Sequence, residues 1–135
     1  IAILILAKKY IPNVYASFIW GIPFESIRDF KKTLMLASYL YKRGFVILNS
    51  PLFPVLGTEI FLRYKNYIYF NPDITAMKYL NPELKNPDVQ DLIVSNKHIF
   101  LEFFNYRTPD ISEKIELLKS FFVRKSCSGQ SYPYI

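Results

Sequence analysis

The stretch ESIRDFKKTLMLASYLYKRGFVILN, Glu25 to Asn49, decides how this chain is read. Ile27, Phe30, Leu34, Ala37 and Tyr41 recur at spacings of three and four, which puts them on one side of a helix. Arg28, Lys31, Lys32 and Lys42 fall on a different side, with Met35 and Tyr39 among them. Ser26 with Asp29 three residues later forms a capping-box pattern at the start. Lys42 and Arg43 fall in the last turn, where cations suit the helix dipole, and Gly44 is placed to end the helix in a left-handed conformation. Phe45 to Leu48 follows at once as a strand-like run. The apolar side docks on a core, and the basic side with its aromatic suits a polyanion, which points to RNA.

Downstream, Asn49-Ser50-Pro51 and Gly57-Thr58 read as turns. Glu59–Arg63 and Tyr67–Phe70 read as two strands joined at Lys65-Asn66, and Pro72–Leu80 as a short helix. Asn81–Asp91, with Pro82 and Pro87, reads as an ordered loop, and His98–Phe104 as a last strand. Thr108 then caps a final helix, with Pro109 at its first position and Asp110 and Glu113 in its first turn. Ile111, Ile115, Leu118 and Phe122 form its apolar face, and Lys119, Arg124 and Lys125 its basic end. Ser126–Ile135 reads as an irregular tail.

Upstream, Ile1–Ala7 is an apolar run stopped by Lys8 and Lys9, expected as a buried strand or as a helix packed on a large neighbour. Ile11–Phe24 is apolar again but interrupted by Asn13 and two prolines. Neither run reaches the roughly 20 residues that cross a bilayer, so no transmembrane segment is expected. No basic segment precedes the first run, unlike a secretory signal. The initial Ile suits a trimmed end or a non-standard start codon.

A chain of 135 residues fits one domain and buries roughly 65–70% of its unfolded surface, so it needs no metal or disulfide to fold. Its composition, 51% apolar and 21% charged, argues against disorder. The wealth of Ile, Lys, Asn, Tyr and Phe fits an AT-rich genome such as an organelle's. Lys and Arg outnumber Asp and Glu by 17 to 11, a net charge of +6 that favours nucleic acid or an anionic membrane as partner.

Little in the chain suggests catalysis. Cys127 is alone, which removes an internal disulfide and a multi-cysteine zinc site. His98 sits in an apolar run, expected as a satisfied structural histidine, and Glu59 and Glu102 as strand-edge residues or ion-pair partners. The four glycines are scattered, so no phosphate loop forms, and neither an HExxH pattern nor a paired acidic motif occurs. The expected RNA-binding residues are Arg28, Lys31, Lys32, Lys42 and Arg43 on phosphates, with Tyr39 on a sugar or base.

Two segments resemble small-subunit ribosomal proteins of the S4 family. ASYLYKRGFVILNS, Ala37–Ser50, is similar to the stretch in which a helix ends at a polar-Gly pair and a strand leads to Val-Asn-Gly. Ala37, Leu40, Arg43-Gly44, Val46 and Leu48-Asn49-Ser50 hold those places, and Leu56-Gly57-Thr58-Glu59-Ile60 resembles the turn and strand that come later. PDVQDLIVSNKHIFLEFFNYR, Pro87–Arg107, resembles the closing motif, through Pro87, Asp91-Leu92 and His98 to Asn105. The chain departs at Ser38, where the family usually has arginine, and lacks a recognisable Arg-Leu-Asp and most of the amino-terminal region.

The resemblance implies an α+β fold, an S4-like RNA-binding module in which a helix pair packs on a small, mainly antiparallel sheet, with a C-terminal helix. The division expected is an apolar segment at 1–24 packing on neighbours, the S4-like domain at 25–107, and a helix and tail at 108–135. The implied role is structural rather than enzymatic, without cofactor, metal or small-molecule substrate. The partners would be small-subunit ribosomal RNA and neighbouring ribosomal proteins, in the ribosome of the mitochondrial matrix. One alternative is an accessory subunit of an inner-membrane respiratory or ATP synthase complex, with Ile1–Phe24 at the membrane surface. A third, a small nucleotide-handling α/β enzyme, rests on reading Ile1–Ala7 as a strand.

Overall fold

The central helix, α2, spans Ile27–Tyr41. The Ser26 hydroxyl caps it, accepting from the Asp29 amide at 3.2 Å and donating to the Asp29 carboxylate at 2.7 Å. Its far end closes at Gly44 with φ of +79°. The Phe45 and Gly44 amides donate to the Leu40 and Tyr41 carbonyls at 3.3 and 2.8 Å, the paired bonds of a Schellman cap. Phe30, Leu34, Ala37 and Leu40 form the buried face. The structure is a computed structural model that describes residues 1–77 and 80–126, with backbone alone at 81 and 122–126.

Strands β1, Tyr15–Trp20, and β2, Val46–Pro51, flank α2 in sequence and pair in parallel, Tyr15 opposite Val46 through Trp20 opposite Pro51. Parallel neighbours need a crossover between them, and α2 supplies it. Ala16 and Trp20 are buried beneath α2, while Tyr15 and Ile19 point away and stay exposed. The second sheet pairs β3, Ile68–Phe70, with β4, Phe104–Tyr106, in antiparallel fashion. The molecule thus mixes helices with two small sheets. Parallel pairing spans six residue pairs and antiparallel pairing three, so the expected mainly antiparallel sheet is not what forms. The cause is β1: its alternation is hidden within a run that reads as uniformly apolar. Within residues 1–24, Tyr15–Trp20 pairs with β2 and buries one of its faces, Ala16 and Trp20, in the chain's own core.

The helix α6, Ile111–Ser126, lies against α2. It starts two residues later than expected, because Thr108 turns its hydroxyl onto the Asp110 carboxylate at 2.8 Å. Leu118 joins Trp20, Phe30, Leu34 and Ile74 in one core cluster, and Ala16, Ala37, Leu40, Phe45 and Ile47 form a second. A third, with Leu84, Ile93, Phe103 and Phe104, sits around the antiparallel sheet. Cys127, the tail and the side chains of Phe122, Arg124 and Lys125 lie outside the described residues.

Three further expectations change. Residues read as the strand 59–63 form helix α3, Glu59–Tyr64, because Thr58 accepts from the Phe61 amide at 3.2 Å and Glu59 pairs with Arg63 one turn on at 3.0 Å. The loop expected at 81–91 contains α4, Asn81–Leu84, and most of α5, Pro87–Ser95, whose Asn86 cap accepts from the Asp88 amide at 2.9 Å. The strand expected at 98–104 shrinks to Phe104–Tyr106, since Leu101–Phe103 coils into a tight turn. Ile1–Ala7 becomes helix α1, Ala2–Lys8, with Ile1, Ile3 and Leu6 largely exposed.

Candidate nucleic-acid interface

Burying Phe30, Leu34, Ala37 and Leu40 turns the opposite side of α2 outward. At about 100° per residue, Arg28, Lys31, Lys32, Met35, Tyr39, Lys42 and Arg43 fall within a stripe about 120° wide. All seven are exposed, Met35 to 72% and Tyr39 to 39%. The six residues expected to meet RNA therefore share one surface. Lys42 and Arg43 lie just past the last helical residue rather than within the last turn.

Two of the cations are paired. Lys31 meets Glu113 of α6 at 2.9 Å, and Lys32 meets Asp29 at 2.7 Å. The Lys32 ammonium and the Ser26 hydroxyl beside Asp29 hold its carboxyl below its ordinary pKa. Arg28, Lys42 and Arg43 form no ion pair among the described residues. The stripe thus sets five cations against two carboxylates, a net charge of +3. Exposed ion pairs are worth roughly 0–1 kcal/mol, so Lys31 and Lys32 can exchange their carboxylates for phosphates at little cost.

Arg43 stacks on Tyr39, with the guanidinium carbon 3.5 Å from the ring centroid. Its Nη1 donates to the Tyr39 carbonyl at 3.4 Å. One face of the Tyr39 ring is therefore occupied, and the stacked guanidinium, with five N–H donors, keeps most of them for an anion. The pair presents a cation over an aromatic plate, a surface suited to phosphate and sugar.

Beneath this surface lies a buried charge cluster that the spacing of residues does not reveal. Lys114 of α6 is fully buried and donates to the Glu25 carbonyl at 2.7 Å, while its ammonium sits 3.3 Å from both the Glu25 and Asp110 carboxylates. Glu25 in turn accepts from the Gly21 amide at 3.3 Å. Burial works against the Asp110 carboxylate, but hydrogen bonds from Thr108 and Lys114 outweigh it and leave its pKa below the ordinary value. This cluster fastens α6 to the start of α2 and so fixes Glu113 beside Lys31.

His98 lies exposed in the turn after α5 rather than within a strand. Glu59 pairs with Arg63 in α3, and Glu102 sits in the turn before β4. Among the described residues, no three His, Cys, Asp or Glu side chains stand close enough to hold a metal ion. Comparison with protein-family models, curated proteins and solved structures gives no match.

Proposed function

We propose that this chain is a structural RNA-binding protein, a component of the mitochondrial small ribosomal subunit that holds small-subunit ribosomal RNA against α2. The observation that carries the reading is the exposed stripe with its net charge of +3 on a helix whose other side is anchored in the core. The S4-like part of the proposal rests on Ala37–Ser50, where helix, glycine turn and strand follow in the order that the family's motif has. Neighbouring proteins would cover the open side of the parallel pair, where Tyr15 and Ile19 are exposed, because parallel sheets are ordinarily covered on both faces.

The test is binding of a structured RNA by the isolated chain across a salt series. Three free cations predict that log K falls with log salt with a slope of about −2 to −3, steepening to about −3.5 to −4.5 if Lys31 and Lys32 also turn to phosphate. Arg28→Glu with Lys42→Glu lowers affinity and flattens the slope while leaving the thermal melt unchanged. A salt-independent affinity refutes the proposal.

The second reading, an accessory subunit at an inner-membrane surface, is favoured by α1, where Ile3 is 82% exposed. No helix among the described residues is long and apolar enough to cross a membrane. Carbonate extraction of organelle membranes separates the two: a ribosomal component leaves with small-subunit RNA, and a membrane-seated one does not.

A further inference from the structure

Lys8 and Lys9 close α1, and in the sequence they only interrupt an apolar run. In the fold they stand beside the end of α2. The Lys8 stem lies against the Gly44 turn, with Cε 3.5 Å from the place a Cβ on Gly44 would take, and Nζ donates to the Pro12 carbonyl at 2.6 Å. Between the two helix ends opens a cleft of about 310 Å³ lined by Ile5, Lys8, Lys9, Arg43 and Phe45. Three of these five residues are cations, and none of the three forms an ion pair among the described residues. Ile5 and the buried Phe45 make the remaining wall apolar.

Convergent cations without a carboxylate repel one another, and an anion between them removes that repulsion. Lys9 and Arg43 are exposed, so each contact is a screened one and the grip comes from three cations acting together. The ammonium of Lys8 has three donors and spends one on Pro12. Arg43 belongs both to this cleft and to the α2 stripe, so the cleft adjoins the C-terminal end of the stripe. The stripe alone extends about 22 Å along the helix, at 1.5 Å per residue. That length suits a polyanion that lies along it, and the cleft marks its end.

We propose that the cleft between α1 and the end of α2 binds a backbone phosphodiester of the RNA held on α2, gripped by Lys8, Lys9 and Arg43. This inference rests on the RNA-binding reading and adds two residues and a direction to it: the strand follows α2 towards its C-terminal end and leaves past α1.

The experiment combines two measurements on the whole chain with an RNA hairpin as probe. In a salt series, Lys8→Gln with Lys9→Gln makes the slope of log K against log salt shallower by about 1.4–1.8, the loss of two phosphate contacts. In lysine acetylation footprinting of the unaltered protein, read by mass spectrometry, bound RNA protects Lys8 and Lys9 together with Lys42. Lys65 and Lys85, both exposed and outside the proposed track, keep reacting. Because the footprint needs no substitution, it decides the matter even if the Gln variant folds poorly. Protection of Lys42 with Lys8 and Lys9 still reactive overturns the cleft and leaves the α2 interface standing. Protection of Lys8 and Lys9 by phosphatidylglycerol vesicles but not by RNA assigns the cleft to a membrane and overturns it too. Absence of salt-dependent RNA binding by the unaltered chain overturns both.

Discussion

Replacing Lys114 by Met tests the buried cluster on which the placement of α6 depends. Methionine keeps the length and much of the shape of the side chain but removes its charge and its three donors. The substitution strips the Glu25 carbonyl of a partner at 2.7 Å and leaves two carboxylates, Glu25 and Asp110, without the ammonium at 3.3 Å. Removing one partner of a buried ion pair typically costs about 3–5 kcal/mol. For a domain of this size that corresponds to a fall in Tm of about 10–20 °C. Differential scanning calorimetry at neutral pH reads the loss directly. The pH dependence gives a second check. In the parent the Asp110 pKa is depressed, so its stabilising contribution is complete above the unfolded value near 3.8 and fades as pH falls through the folded value. In Lys114→Met the burial stays and the cation goes, so the carboxyl titrates higher and protonation relieves part of the damage. The gap between parent and variant should therefore narrow as pH falls from 7 towards 3. Adding Glu25→Gln to Lys114→Met should recover part of the loss, because one of the stranded charges is gone. A loss below about 1 kcal/mol, or a gap that does not change with pH, refutes the reasoning.

Two stability predictions follow from other positions. Gly44→Ala forces a side chain into φ of +79° and should cost about 1–2 kcal/mol, seen as a lower urea midpoint with an unchanged m value; the new methyl meets Lys8 only at ordinary contact distance, so the cost is one of backbone. Asn105 is 2% exposed and neither atom of its side-chain amide has a partner among the described residues, so Asn105→Leu should raise stability by about 1–2 kcal/mol in the same assay; a loss instead would mean that the amide is satisfied by another group.

Much of α2 was legible from sequence because everything that makes it is local. Its period, its Ser26 cap and its Gly44 stop lie within a few residues of the features they control, and a helix with its apolar side buried leaves the basic stripe exposed. The same holds for the existence of α6. Equivocal local signals leave the element undecided until contacts form. Glu59–Tyr64 offers a short apolar run that suits strand or helix equally, and the Thr58 cap with the Glu59–Arg63 pair tips it to helix. Asn86-Pro87-Asp88 carries the start signal of α5, the same kind as Thr108-Pro109, which is followed by α6 two residues further on, but the neighbouring prolines disguise it.

The amino-acid order thus determined a helix with an anchored side and a cationic side, because that pattern depends on neighbours three and four residues apart. Tertiary structure decided what no such spacing encodes. It joined Tyr15–Trp20 to Val46–Pro51 across the length of α2, sank Lys114 between two carboxylates, and brought Lys8 and Lys9 beside Arg43. Those contacts join residues more than twenty positions apart in most cases, and their partners are chosen by which apolar faces are left to cover once each element has formed.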